Sequence, residues 1–303
     1  MSIRITQVSY VYGKGSPYEK VALQDVDLEL RQHEFVGIIG HTGSGKSTLV
    51  QHLNGLLTPT SGTVTVDGVS LAGNAPEAKA ARRRVGMVFQ YPEHQLFEET
   101  IAEDIAFGPR NLGWDEEVVQ ERVRAAMRFV GLPYRQFASR SPFRLSGGQM
   151  RRVAIAGVIA MKPDYLVLDE PSAGLDPIGR REIYAQITRL HEEQHTTVIL
   201  VSHNMEDISR LASRVVVMNH GRVMLDGAPL EIFMHHREEL AQAGLEPPPV
   251  SRLLSALNER GWGIDEHAVE PTEAAAHIRA RLTHLPKAAD AAHGDRKEER
   301  HAR

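Results

Sequence analysis

The sequence contains no cysteine, which excludes disulfides, thiolate metal sites and cysteine nucleophiles and allows a reducing compartment. No run approaches the ~20 apolar residues of a membrane span, and the start, Met1-Ser2-Ile3-Arg4-Ile5, lacks the apolar core of a signal peptide. The expectation is a chain that does not itself cross a bilayer. A dominant charge sign is missing too. The 35 Lys and Arg against 39 Asp and Glu leave a net charge of −4, which argues against a general nucleic-acid-binding surface while allowing local basic patches. What is present, 303 residues of which 42% are hydrophobic, suffices for a core in one large domain or two.

The stretch that organises the rest is Gly40-His41-Thr42-Gly43-Ser44-Gly45-Lys46-Ser47-Thr48, directly after the apolar run Phe35-Val36-Gly37-Ile38-Ile39. It reads as strand, phosphate loop and helix, and Gly40, Gly45, Lys46 and Ser47 fit G-x-x-x-x-G-K-[ST]. In that pattern backbone N–H groups wrap phosphates and the lysine neutralises the outer ones. The helix starting near Lys46 aims its positive dipole end at the same anion, so a nucleotide triphosphate with Mg²⁺ on Ser47 is expected. Asp169-Glu170 follows the apolar strand Tyr165-Leu166-Val167-Leu168, which places two carboxylates at the carboxyl end of a core strand beside the phosphate loop. Asp169 is expected to hold Mg²⁺ through water, and Glu170 to orient the attacking water and accept its proton. Leu145-Ser146-Gly147-Gly148-Gln149 opens a further helix. Its glycines let backbone approach phosphate closely, with Ser146 as hydroxyl donor and a helix dipole behind.

The remaining pattern predicts strands over Ile3–Tyr12, Leu23–Leu30, Thr63–Val66 and Arg84–Gln90, forming a small antiparallel sheet beside a parallel core. Val119, Val123, Ala126, Met127 and Val130 fall at helical spacing in Glu116–Val130, with Asp115 as its N-cap and Gly131 and Pro133 as its stop. Tyr165–Leu168 and Thr197–Val201 are continuous apolar runs, as in strands buried on both faces, so the core is doubly wound α/β. Val215–Met218 and Val223–Leu225 flank a hairpin turn, Asn219-His220-Gly221-Arg222, after which nothing so regular follows. Pro247-Pro248-Pro249 reads as a stiff extended joint, Ser251–Arg260 as a short helix, and a last helix starts at Thr272. The residues from Lys287 to Arg303 are almost all charge, alanine and histidine and are expected to be disordered.

Gly40 to Thr48, Gln90, Leu145 to Gln149, Leu166 to Glu170, Ala173-Gly174-Leu175-Asp176 and His203, in that order, resemble the nucleotide-binding subunit of an ATP-binding cassette (ABC) transporter. The resemblance covers about residues 3 to 240. It implies a P-loop NTPase (RecA-like) α/β fold: a parallel-sheet core, an antiparallel β-subdomain, an inserted helical subdomain at about 91–145, and a small C-terminal extension over 241–286. It also implies a head-to-tail dimer with a second ATPase subunit, a paralogue or the chain itself. There the Ser146-Gly147-Gly148 loop of one subunit covers ATP held by the phosphate loop of the other. On this resemblance Gln90 joins Mg²⁺ and water, His203 contacts the γ-phosphate and Asp176 communicates across the dimer. Tyr12 is the adenine-stacking aromatic, with Tyr10 or Tyr18 as alternatives because Gly15-Ser16-Pro17-Tyr18-Glu19-Lys20 lengthens the intervening loop.

Gln90-Tyr91-Pro92-Glu93-His94-Gln95-Leu96-Phe97, Ala106-Phe107-Gly108-Pro109, Met150 to Gly157 and Asp169 to Asp176 narrow the resemblance to the energy-coupling factor ATPases of micronutrient uptake, and the Gly15 to Lys20 loop with Asp169-Glu170-Pro171 looks most like the second of two ATPase paralogues. That implies a transmembrane T component, a substrate-binding S component, and a peripheral position on the cytoplasmic face of the membrane, with no nucleic-acid partner. The rivals are an ABC ATPase of another transporter class, a soluble ABC ATPase acting on ribosomes or DNA, and a kinase with the same loop. The last has no use for Leu145 to Gln149. His191-Glu192-Glu193-Gln194-His195 fits the zinc motif H-E-x-x-H, yet reads as a solvated helix end with no third ligand in reach, as does Arg82-Arg83-Arg84 among basic runs.

Overall fold

Two antiparallel strands, β1 (Ser2–Tyr12) and β2 (Lys20–Arg31), begin the protein, in a computed structural model that describes residues 1–268 and 270–284. They join β4 (Ser61–Val66) and β5 (Val69–Ser70) in a four-stranded antiparallel sheet of order β2-β1-β4-β5. Their alternating apolar residues, among them Ile3, Ile5, Val26, Leu28, Leu30 and Val64, point to one buried face.

The second sheet has six strands, in the order β10-β9-β3-β8-β7-β6. Its members are β3 (Phe35–Ile39), β6 (Val85–Val88), β7 (Tyr165–Asp169), β8 (Thr197–Val201), β9 (Arg214–Asn219) and β10 (Arg222–Gly227); all pairs are parallel except the β9–β10 hairpin. The continuous apolar runs are explained by two cores, one on each face. Val36, Ile38, Tyr165, Val167, Ile199 and Val201 pack toward the antiparallel sheet, while Phe35, Ile39, Leu166, Leu168, Val198 and Leu200 pack toward the helices. Between β3 and β4 runs α1 (Lys46–Leu53), and α2 (Pro76–Arg83) leads into β6.

The segment between β6 and β7 is helical: α3 (Ile101–Asn111), α4 (Glu116–Phe129), α5 (Tyr134–Phe137) and α6 (Gly147–Ala160). The α3 helix was not anticipated, because Gly108 and Pro109 lie inside its last turn; Thr100 caps it by accepting from the Glu103 N–H. Asp115 does occupy the N-cap position of α4, but its side chain makes no capping hydrogen bond. After β7 come α7 (Pro177–Gln194), then α8 (Met205–Leu211) between β8 and β9.

Beyond the hairpin the structure corrects the expectation of irregular chain. The helices α9 (Pro229–His235) and α10 (Arg237–Gln242) were too short to show a period, and Ile232, Phe233 and Leu240 seat them on the helical core. The triple proline is a joint for only part of its length. Pro249 is the first residue of α11 (Pro249–Glu259), where a missing N–H costs nothing and φ is already helical. With α12 (Pro271–His284), α11 forms a small separate core of Leu254, Ile264, Ala268 and Ala274. The expected disorder over Lys287–Arg303 concerns residues outside those described.

Candidate active site

The carboxyl ends of β3, β7 and β8 converge on one edge of the parallel sheet, and each supplies part of the site. The loop after β3 turns through Gly43 and Gly45, at φ of 84° and 104°. A Cβ on Gly45 would stand 2.7 Å from the Ala22 carbonyl oxygen, so only glycine fits that turn. Lys46, 6% exposed, curls back over the loop and donates to the carbonyl oxygens of Gly40 (2.7 Å) and His41 (2.9 Å). Burial lowers its pKa, and the carboxylates of Glu170 and Asp169 oppose that shift.

Asp169 closes β7 and is buried, which raises its pKa against the Ser47 hydroxyl and the Lys46 and His203 charges. Glu170 follows at φ 51°, a left-handed backbone that a non-glycine residue adopts only when its surroundings enforce it. Its N–H is held by the Val201 carbonyl of β8. Burial and then the neighbouring Asp169 charge push the Glu170 carboxyl up to about 7. Its Oε1 is buried without a hydrogen-bond partner and lies 3.6 Å from His203 Nε2, too far for a hydrogen bond. Burial lowers the His203 pKa as well, so the imidazole is neutral at neutral pH. A carboxylate poised near neutrality beside a neutral imidazole suits proton acceptance from water at physiological pH.

Of the residues expected from sequence, Lys46, Ser47, Asp169, Glu170 and His203 thus come together. Ser47 and Asp169, with the exposed amide of Gln90, offer the hydroxyl, carboxylate and carbonyl oxygens that Mg²⁺ prefers, so the donor set fits that ion. Gln90 leaves the sheet two residues after Val88, which pairs with Leu168, and so stands beside the end of β7. The strand stops there rather than at Gln90, because Tyr91 turns at φ 54°. Tyr12, 40% exposed, reaches Thr48 Oγ1 with its hydroxyl (3.2 Å), while Tyr10 is wedged between Tyr12 and His52 and Tyr18 is exposed in its loop. Ser146 and Gln149 form a reciprocal capping box at the start of α6, and Asp176 accepts from the Gly179 N–H as N-cap of α7. The polar partners of Ser146 and Asp176 therefore lie on their own helices, away from Lys46.

The chain matches the ABC transporter family model over residues 23–173. It is 54% identical over 266 residues to the energy-coupling factor transporter ATP-binding protein EcfA2 of Clostridium perfringens, covering 88% of this chain and 93% of that protein. It is 52% identical over 282 residues to the protein of the same name from Symbiobacterium thermophilum, covering 93% and 97%. The chain belongs to this family of ABC ATPases. Among solved structures, cbiO1 of Clostridium perfringens, part of the ABC transporter complex cbiONQ, is 33% identical with a TM-score of 0.69 over 79% of this chain and 94% of that one. The cassette MJ0796, solved as a dimer bound to ADP and Pi, is 29% identical with a TM-score of 0.67 over 75% and 98%. The protein is accordingly an ATP-binding, ATP-hydrolysing subunit with the P-loop NTPase α/β fold.

Side chains of both decoy motifs are engaged within the protein. His191 Nδ1 bonds the Thr196 carbonyl, His195 ends α7 in a left-handed turn against the His33 ring, and no group of three metal-ligating side chains occurs among the described residues. Arg82 binds the carbonyls of Leu71 and Gly73, and Arg84 pairs with Asp67 and Asp164. Ion pairs escaped sequence reasoning, among them Arg151 with Glu93 and Arg180 of α7 with Asp207 of α8. The first carried a readable signal. Arg151 lies four residues before Ile155 and eight before Ile159, on the buried face of α6, where an unpaired charge is too costly to persist.

Proposed function

We propose that this chain is the ATPase subunit of an energy-coupling factor importer, in which ATP-driven dimer closure powers uptake of a vitamin or other micronutrient through a transmembrane T component and a substrate-binding S component. The observation that carries it is the convergence of Lys46, Ser47, Asp169, Glu170 and His203 at one sheet edge. The phosphate loop, Gly40 to Thr48, holds the ATP phosphates, with Tyr12 against the adenine. Mg²⁺ held by Ser47, Gln90 and Asp169 would neutralise phosphate charge. Glu170 takes the proton of the attacking water, and His203 steadies the γ-phosphate. Ser146, exposed with Gly147 at the N-terminus of α6, faces outward to cover the ATP of a second ATPase subunit in a head-to-tail pair, with Asp176 at the same junction. The catalytic cassette spans 1–240, its helical insertion 91–145, and the extension 241–286.

The membrane partner docks on the segment after Gln90. Leu96 turns inward, 6% exposed, and belongs to the helical core. Phe97 does not: 56% exposed, it stacks edge-on against Phe107 at 4.8 Å, an apolar pair suited to a short helix of the T component. No helix among the described residues is long and apolar enough to cross a membrane; the likeness to energy-coupling factor ATPases supports a position on the cytoplasmic face. Co-expression with a T component and an S component, purification in detergent and reconstitution into vesicles tests the whole. The expected result is ATP-dependent uptake that Glu170→Gln abolishes; an active ATPase that never associates with the T component would refute the transport role.

A further inference from the structure

Arg151 is 2% exposed in the second turn of α6, the helix that Ser146 caps. Its Nε and Nη2 donate to the two carboxylate oxygens of Glu93, at 3.1 and 2.9 Å, a bidentate pair. Its Nη1 donates to the carbonyl oxygens of Pro171 (3.2 Å) and Ala173, both in the loop between Glu170 and Asp176. Glu93 itself sits in the short 3-10 turn Pro92–Gln95, three residues past Gln90. The Tyr91 ring lies 5.9 Å from the same guanidinium and 4.0 Å from where a Cβ on Gly174 would be. One buried side chain therefore ties together the loop after Gln90, the helix behind Ser146 and the loop after Glu170. None of its partners is a nucleotide-binding group, and Lys46 and Ser47 lie on a different element.

We propose that Arg151, through Glu93, is a positioning residue for ATP hydrolysis: it locks these three segments into one unit. The carboxylate acting on a subunit's own ATP and the Ser146 loop presented to its partner's ATP then move together. The proposal rests on the ATPase reading above. Ion pairing fixes direction as well as distance here, because a planar guanidinium with four acceptors admits a single orientation, whereas an apolar contact would let the loops slide. Loss of the hub should leave ATP affinity at the phosphate loop untouched and lower turnover, since misplacing catalytic groups by about 1 Å can cost ~10²-fold.

The test uses the full chain in its assembled complex and compares Arg151→Met, Arg151→Lys and the double variant Glu93→Leu/Arg151→Met. Arg151→Met leaves the half-buried Glu93 carboxylate without its partner and should lower the melting temperature; the double variant removes both charges and should recover it. Arg151→Lys keeps a cation against Glu93 but cannot span four acceptors, so it should fold normally. The expected result is kcat reduced by about tenfold or more in Arg151→Lys and in the double variant, with KM and the affinity of the isolated chain for a fluorescent ATP analogue within about twofold of parental. A purely structural pair predicts instead that kcat recovers with the melt. Parental turnover in Arg151→Lys and the double variant would overturn the proposal, as would a loss of ATP affinity large enough to account for the loss of rate. A parental complex that binds ATP without turnover would sink the ATPase reading and this proposal with it, so the two failures are distinguishable.

Discussion

Replacing Glu170 by Gln tests the catalytic arrangement because the surroundings of that side chain set the sign of three separate observables. The substitution keeps the shape and removes the base. Oε1 has no hydrogen-bond partner to lose, and the left-handed backbone at φ 51° is fixed by the bond from the Glu170 N–H to Val201, which the variant keeps. Removing one carboxylate also relieves the repulsion between Glu170 and Asp169, the second-largest cause of the upward shift of the Glu170 pKa after burial. The melting temperature should therefore stay level or rise. ATP affinity should survive, since Lys46 keeps Asp169 as a neighbour. Turnover should fall by the ~10²- to 10⁴-fold that a general base contributes, or about 3–5 kcal/mol of barrier. The assays are a thermal melt, ATP binding by calorimetry and phosphate release. Size-exclusion with ATP and Mg²⁺ should show a trapped dimer. Parental turnover would remove Glu170 from the base role, and a large fall in affinity would mean that it binds substrate instead.

Lys46→Ala removes the cation folded over the phosphate loop, and the loss of charge-assisted bonds worth about 1.5–3 kcal/mol should weaken ATP binding by roughly tenfold to a hundredfold, read by calorimetry. Unchanged affinity would place the phosphates elsewhere. Phe97→Asp should weaken the complex with the T component by about 2 kcal/mol or more in a pull-down, as for an apolar anchor, while ATP affinity of the soluble chain is retained. Loss of both would mean that Phe97 packs the core. His52, fully buried, donates from Nδ1 to the Thr48 carbonyl (2.7 Å); burial lowers its pKa and that carbonyl partly opposes the shift. A depressed histidine pKa makes the unfolded chain take up the proton first, so stability is present above the unfolded value of about 6.5 and is lost as pH falls through the folded one. His52→Gln should therefore narrow the gap between melts run at about pH 7.5 and about pH 5.5; an unchanged gap would assign acid sensitivity to other groups.

The parts of this protein that could be read in the sequence are those governed by local rules. A glycine-rich turn between an apolar strand and a helix is one. Another is a pair of carboxylates at the end of the run Tyr165-Leu166-Val167-Leu168, since a strand buried on both faces leaves its carboxyl end as the first place where charge is tolerated. The α3, α9 and α10 helices were not legible. The first is obscured by Gly108 and Pro109, and the other two run for 7 and 6 residues, less than two full turns, so tertiary contacts rather than period decide them. Leu96 and Phe97 show the same limit: adjacent apolar residues in one polar stretch, one core and one surface, separated only by the direction in which the chain leaves Pro92–Gln95.

The electrostatics of the site depend on distance in space and could not be read from spacing at all. Asp169 and Glu170 are neighbours in sequence with similar intrinsic acidity, yet they face different groups: Asp169 has Ser47, Lys46 and His203 to lower its pKa against burial, whereas Glu170 adds the Asp169 charge to its own burial and reaches about 7. Burial raises both, and the contrast in their neighbours suits the two proposed roles, because ligation of a cation needs the ionised form and proton acceptance from water is most efficient near ambient pH. The proposed pairing of two subunits draws on the geometry of Ser146 in the same way. Ser146 uses its hydroxyl and Gln149 its amide to finish their own helix end, where Ser146 and Gly147 are exposed. Lys46 folds over the carbonyls of its own loop. On the proposed function, an exposed helix end completed by its own side chains meets an anion carried by a second subunit, and closure of the pair is the step that would bring Ser146 to ATP.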